Sequence, residues 1–142
     1  MAKEAILTLS LEGCTESIAD ILKLLMSVGW GFRDNSMEYL PVGDDGLYHW
    51  QKESLSYDTL FDVIFKKQSE KEQAGVVLYY EDTDIGITVL CDRPDRVKLI
   101  PDINRKTLYG DFTDVSWYIA HTAAKLKNKG YIITQIDYSE AG

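Results

Sequence analysis

Ala74-Gly75-Val76-Val77-Leu78-Tyr79-Tyr80-Glu81-Asp82-Thr83-Asp84-Ile85-Gly86-Ile87-Thr88-Val89-Leu90-Cys91 sets two runs of β-branched and aromatic residues on either side of a short polar turn. This is the pattern of a β-hairpin. In the first arm Val76, Leu78 and Tyr80 share one face by the two-residue period, while Val77 and Tyr79 load the other. An arm that is apolar on both faces is predicted to be a central strand, covered on both sides. The turn Glu81 to Asp84 has three carboxylates and neither Gly nor Pro. Asp can reverse a chain by Asx-type bonding to its own backbone, which fixes no single turn type.

Outward from this hairpin, Arg96 to Ile100 continues as a third strand after the Arg93-Pro94 break, giving an antiparallel meander. Upstream, residues 4 to 11 alternate, with Ile6 or Leu7 and then Leu9 and Leu11 apolar, which predicts an opening strand ended by Gly13. Thr15 or Ser17 caps a helix carrying Ile18, Ile21, Leu22, Leu25 and Val28 on one stripe, with Gly29 as its C′ residue and Trp30 folding back. Met37 to Leu40 and Leu47 to Lys52 read as two short strands joined by the acidic loop 41–46. Ser54 or Ser56 caps a second helix. Its inner stripe is read as Tyr57, Leu60, Phe61, Ile64 and Phe65, with Lys66, Lys67 and Lys71 complementing the dipole near its end. Residues 101 to 112 contain Pro101, Asn104 and Gly110 and are expected to be mostly loop, with a strand stub at 107–109. A third helix starts near Asp111 or Thr113, carries Val115, Tyr118, Ile119, Thr122, Ala123 and Leu126 on one face, and stops at Gly130. Tyr131 to Tyr138 closes the chain as a strand. The order predicts one α+β domain over 1–142, with three helices on a mainly antiparallel sheet of about six to seven strands.

The chain has 142 residues, 45% of them hydrophobic, with nine tyrosines, four phenylalanines and three tryptophans. That apolar load suits a packed globule, and a chain of this length can bury roughly two thirds of its surface without metal or disulfide help. Its two cysteines, Cys14 and Cys91, fit free thiols in a reducing compartment. The first residues contain no signal-length apolar run and no segment approaches a membrane span, so the expectation is a soluble cytoplasmic protein. A net charge of −8 opposes binding to a phosphate backbone. It suits a basic partner, or solubility alone.

Motifs for chemistry are sparse. Cys14 at the start of the first helix is the one candidate nucleophile, since the positive end of a helix dipole favours thiolate. The only imidazoles, His49 and His121, have no sequence relation to it that supplies a base. His121 lies four residues after Trp117, the spacing of a packed aromatic pair on a helix flank, and His49 sits between Tyr48 and Trp50. Cys14, Cys91, His49 and His121 lack the close pair spacing of zinc sites. There is no phosphate loop, nucleophile elbow or metalloprotease motif, and no cofactor signature. Arg93, Arg96, Lys98, Arg105 and Lys106 are interleaved with Asp92, Asp95 and Asp102, a solvated charge mixture rather than a nucleic-acid platform.

Two acidic segments remain, each with aromatics beside it: Asp44-Asp45 with Tyr48 and Trp50, and Glu81-Asp82-Thr83-Asp84 with Tyr79 and Tyr80. A small acidic domain with Tyr79-Tyr80-Glu81-Asp82 and Asp44-Asp45 and no catalytic motif resembles the immunity proteins of bacterial toxin systems. The resemblance is one of size, charge and type and carries no family motif. It implies a non-enzymatic inhibitor that binds a basic toxin or effector, such as a nuclease domain, and covers it with acidic loops. Asp44, Asp45, Tyr48, Trp50, Tyr79, Tyr80, Glu81, Asp82 and Asp84 are then the expected partner-binding residues. The alternative is a small enzyme or ligand-binding domain using Cys14 or a pocket between sheet and helices. Neither reading sets an oligomeric state.

Overall fold

A computed structural model of the chain describes residues 4–13 and 15–142. The strands are β1 (Glu4–Glu12), β2 (Trp30–Gly31), β3 (Met37–Tyr39), β4 (Gln51–Glu53), β5 (Ala74–Tyr80), β6 (Gly86–Arg93), β7 (Arg96–Ile103), β8 (Thr107–Leu108), β9 (Phe112–Thr113) and β10 (Ile132–Ala141). The helices are α1 (Ile18–Ser27), α2 (Tyr57–Ser69), α3 (Val115–His121) and α4 (Ala123–Asn128). The main sheet runs β10-β1-β7-β6-β5-β3-β4, with β2 also on β5, and every pairing is antiparallel. This is the expected α+β class, with eight strands rather than six to seven because the two-residue β2 joins the sheet. β8 and β9 form a separate small hairpin.

Register explains why the expected strands form. Tyr138, Leu7, Leu99, Val89, Val76 and Tyr39 are successive cross-strand partners, so one apolar row spans six strands beneath the helices. Ala5, Leu7, Leu9 and Leu11 of β1 are all buried, and β5 is buried along nearly its whole length. The opposite row, Asp137, Thr8, Lys98, Leu90 and Gly75, lies on the helix-free face. On the apolar side α1 packs against β6 and α2, α2 against β5, and α4 against β10 and α3.

Ser17 caps α1 with a reciprocal capping box to Asp20, and Ser56 caps α2. Gly29 follows α1 at φ +112, where a Cβ would sit 2.8 Å from the Tyr80 ring. The last helix begins after the Asp114 cap and is broken at Thr122 (φ −130, ψ −84), whose buried hydroxyl donates to the Tyr118 carbonyl. That local bond competes with helical geometry. Strand β7 runs through Pro101 to Ile103 where a loop was expected. A register shift opposite Gly86 to Thr88 gives the imino acid a place in the sheet.

Two expectations need correction. Tyr57 and Phe65 are exposed, not inward; α2 buries Leu60, Ile64 and Lys67. Counting only apolar residues rotates the helix by about one residue, because a lysine completes the true inner stripe. The strand expected over 47–52 shrinks to β4, because residues 41 to 50 form a structured loop instead.

Candidate interaction site

The loop before β4 is built around two charged side chains. Asp44 is buried, and its carboxylate accepts backbone N–H bonds from Leu47 (3.0 Å), Tyr48 (3.0 Å) and His49 (2.6 Å). Burial alone would raise its pKa. The three N–H groups, with His49 nearby, outweigh that and hold the carboxyl below its ordinary value. Lys67 arrives from α2 fully buried and places its three ammonium protons on Pro41 O (2.8 Å), Asp44 O (2.7 Å) and Glu72 Oε1 (3.2 Å). Glu72 also accepts from the Gly43 N–H at 2.8 Å, and Asp45 from the Gln73 N–H at 3.0 Å. A buried lysine is tolerated only when its charge and donors are satisfied, and here they are.

This lock has an outward product. Leu47 is 65% exposed and Tyr48 48% exposed, and Tyr48 is held at φ +58, a conformation uncommon for an aromatic residue. Backbone in such a region persists only where its surroundings over-determine it. On its inner side the loop lies on the helix-free face over Gly75. A Cβ there would stand 2.7 Å from Leu40 Cδ1 and 3.0 Å from Trp50 Cη2, so any side chain at this position would displace Leu40 and press on Trp50.

At the far end of β5, the turn to β6 is made by other means. Glu81 takes φ +45, its N–H bonds to Gly29 O, and the Thr83 hydroxyl donates to Tyr80 O at 2.7 Å while accepting from Ile85 N–H. The turn uses threonine, and the side chains of Glu81, Asp82 and Asp84 remain exposed. They border a groove with Phe32, Asp34 and Tyr79 in which Arg33 lies over the Tyr79 ring at 4.4 Å. Four carboxylates there face one guanidinium.

The nine residues picked from the sequence thus separate. Asp44 is an internal loop organiser. Tyr80 is buried against Trp30 (5.2 Å between ring centroids), Trp117 (5.5 Å) and His121 (4.9 Å), and its hydroxyl accepts from Lys125. Trp50 is half-buried. Tyr48 and Asp45 stand at one end of β5, and Tyr79, Glu81, Asp82 and Asp84 at the other. Gly75 and Tyr79 share the helix-free face about 13 Å apart at strand rise, while Glu81 also lines a groove with Met26, Gly29, Lys125 and Lys129 at the helix ends. Sequence reasoning missed Leu47, Lys67, Phe32 and Arg33. For Lys67 a signal existed, since 60, 64 and 67 keep helical spacing.

Cys14 lies outside the described residues. Cys91 is buried, which pushes its thiol up to about 12, and its S–H donates to the Arg93 and Arg96 carbonyls. A thiol so placed is inert as a nucleophile at neutral pH. His121 stacks on Trp117 (4.2 Å between centroids), as its spacing predicted, and bonds the Trp117 carbonyl through Nδ1. His49 is exposed in the loop, outside any strand. Among the described residues no group of three or more His, Cys, Asp or Glu side chains is arranged to hold a metal, and no helix is long and apolar enough to cross a membrane. Comparison of the chain with protein-family models, curated proteins and solved structures finds no match.

Proposed function

We propose that this chain is a protein-binding inhibitor, of the immunity-protein kind, which neutralises a basic toxin or effector by covering it with the helix-free side of the sheet and its two flanking loops. The observation that carries the reading is the Lys67–Asp44 lock. Two oppositely charged side chains are buried to hold a loop whose visible consequence is an exposed Leu47 and Tyr48. A rigid loop presenting large apolar side chains loses little entropy on binding, which is how interface anchors gain affinity. The exposed carboxylate of Asp45 lies in the same loop as that anchor, and Glu81, Asp82 and Asp84 at the other end of β5 add the charge that steers a cationic partner.

The test is affinity capture from the native host at low and moderate salt, followed by binding measurements on the captured protein with Tyr48→Ala and Leu47→Asp. A basic protein should be retained, more weakly as salt rises, and both variants should lose at least tenfold in affinity, about 1.4 kcal/mol. Capture of an acidic partner, or a partner indifferent to both variants, would remove the proposal.

A further inference from the structure

Strand β10 is an edge of the sheet: β1 covers one side of it, and among the described residues no strand pairs with the other. It is ten residues long and exposed over most of its length, with Ile132 at 56% exposure. Solvent-facing edges are ordinarily short or guarded by charge, proline or bulges; β10 has no lysine or proline, and its irregularity lies before Gln135, so its only charges, Asp137 and Glu140, stand in the regular stretch 135–141. Six of the eleven exposed large apolar side chains among the described residues also gather here. Ile132, Ile136 and Tyr138 lie on β10 itself, and Leu108, Tyr109 and Phe112 on the β8–β9 hairpin beside it. The hairpin is tied to the strand by Thr113 N–H donating to Glu140, and stiffened by Arg105 bonds to the Asp111 carbonyl and carboxylate. At the other end of β10 an apolar groove opens between the strand and the last helices, lined by Ile119, Ala123, Ala124, Ile133 and Ile136.

We propose that the occupant of this edge is a second copy of the chain, paired β10 to β10 across a two-fold axis at Tyr138. Symmetry selects the register. A two-fold maps the strand onto itself, so the paired segment must be regular about its midpoint. The β10 ladder is irregular opposite Ser10 and Leu11 and regular from Gln135 to Ala141, whose midpoint is Tyr138. An axis at Asp137 would set two carboxylates against each other, and one at Ile136 would carry the pairing into the irregularity. With the axis at Tyr138, Asp137 meets Ser139 of the second copy and Ile136 meets its Glu140, so no like charges oppose. The same operation swaps the ends of the strand. The apolar hairpin beside Glu140 arrives over the apolar groove beside Ile136 of the second copy, twice, in the isologous manner of a closed dimer. This dimer does not rest on the inhibitor reading, because it uses the sheet edge farthest from β4.

Sedimentation equilibrium of the full chain is the test. The wild type should dimerise with a Kd below about 100 μM. Ile136→Glu, which sets a second carboxylate against Glu140 of the other copy, should raise that Kd at least tenfold at unchanged melting temperature. Tyr109→Asp guards against a folding artefact, since Tyr109 is 91% exposed in the hairpin turn and its loss should also weaken the dimer. Tyr138→Cys should form an intermolecular disulfide on mild oxidation, since each thiol meets its own copy on the axis. A wild type that stays monomeric in that range overturns the proposal, as does a dimer that both surface variants leave intact, and a dimer whose Tyr138→Cys form does not cross-link overturns the register.

Discussion

Residues 41–46 and 81–84 have similar composition and opposite uses. Both join strands and both are rich in Asp. In the first, Asp44 is drawn inward to receive three backbone N–H groups, and a buried lysine 23 residues away closes the loop from beneath. In the second, Thr83 makes the turn and the acids are left facing solvent. The difference teaches that an acidic loop becomes architecture when the fold brings it a cation and unpaired amides, and stays a surface when neighbouring hydroxyls already satisfy the backbone. Substitutions at the two ends of β5 should therefore separate stability from recognition.

The largest effect should come from the strand that joins them. Leu78→Asp puts an unpaired charge at a fully buried position in β5. That costs several kcal/mol against a total of roughly 5 to 15, so the variant should fail to fold cooperatively. A soluble Leu78→Asp protein with a sharp melting transition would dissolve the comparison at its root.

Next is the lock. Lys67→Met keeps the length of the side chain but takes the ammonium from Asp44 O, and leaves Pro41 O and Glu72 with only the N–H groups of Asp44 and Gly43. Orphaned buried acceptors cost about 1 to 3 kcal/mol, which at this chain length should lower Tm by roughly 3 to 10 °C. Partner affinity should fall with it, because Leu47 and Tyr48 would no longer be pre-positioned. An unchanged Tm would mean that the loop stands without its lysine.

Acid should open the same loop without mutation. The carboxyl of Asp44 has a lowered pKa in the folded state, so the unfolded chain binds the proton more tightly. Its stabilising contribution is therefore complete above the ordinary aspartate pKa of about 4 and is lost as pH falls below it through the folded value. Asp102, raised chiefly by burial beside Thr88, works in the opposite sense, favouring the folded state once protonated. A global melt mixes the two. Amide-exchange protection of Leu47, Tyr48 and His49 isolates Asp44 and should decline below about pH 4 before the β5 and β6 amides do. Simultaneous loss across loop and sheet would count against a separately locked loop.

How much of this was legible depends on how far apart the interacting residues are. The alternation through Leu9 and Leu11 and the two-sided burial of Val76 to Leu78 are local patterns that read correctly, and of the alternatives left open the fold takes Leu7 over Ile6 and Ser17 over Thr15. The inner face of α2 did not, since Lys67 counts as polar by type yet completes the 60, 64, 67 stripe once its charge has partners. Nor could the fate of Asp44 and Tyr80 be read. One depends on the amides of a loop whose shape it creates, and the other on Trp30, Trp117 and His121, which reach it from 37 residues or more away in sequence at one end and, by way of Lys125, from the last helix.

The smallest effect on stability, and the most informative about function, belongs to the open turn. Asp82 and Asp84 are exposed and make no side-chain bond that holds the turn, which rests on Thr83, Tyr80 and Ile85. Replacing both by lysine should leave Tm nearly unchanged, as surface substitutions away from caps and cores do. In the complex the same change reverses the local field that a cationic partner meets, so affinity should fall at least tenfold, about 1.4 kcal/mol, chiefly through a slower association rate that converges on wild type at high salt. Stopped-flow association across a salt series reads both features. If the double variant associates as fast as wild type at low salt while Tyr48→Ala abolishes binding, the locked loop alone is the recognition element and the acidic turn is only a turn.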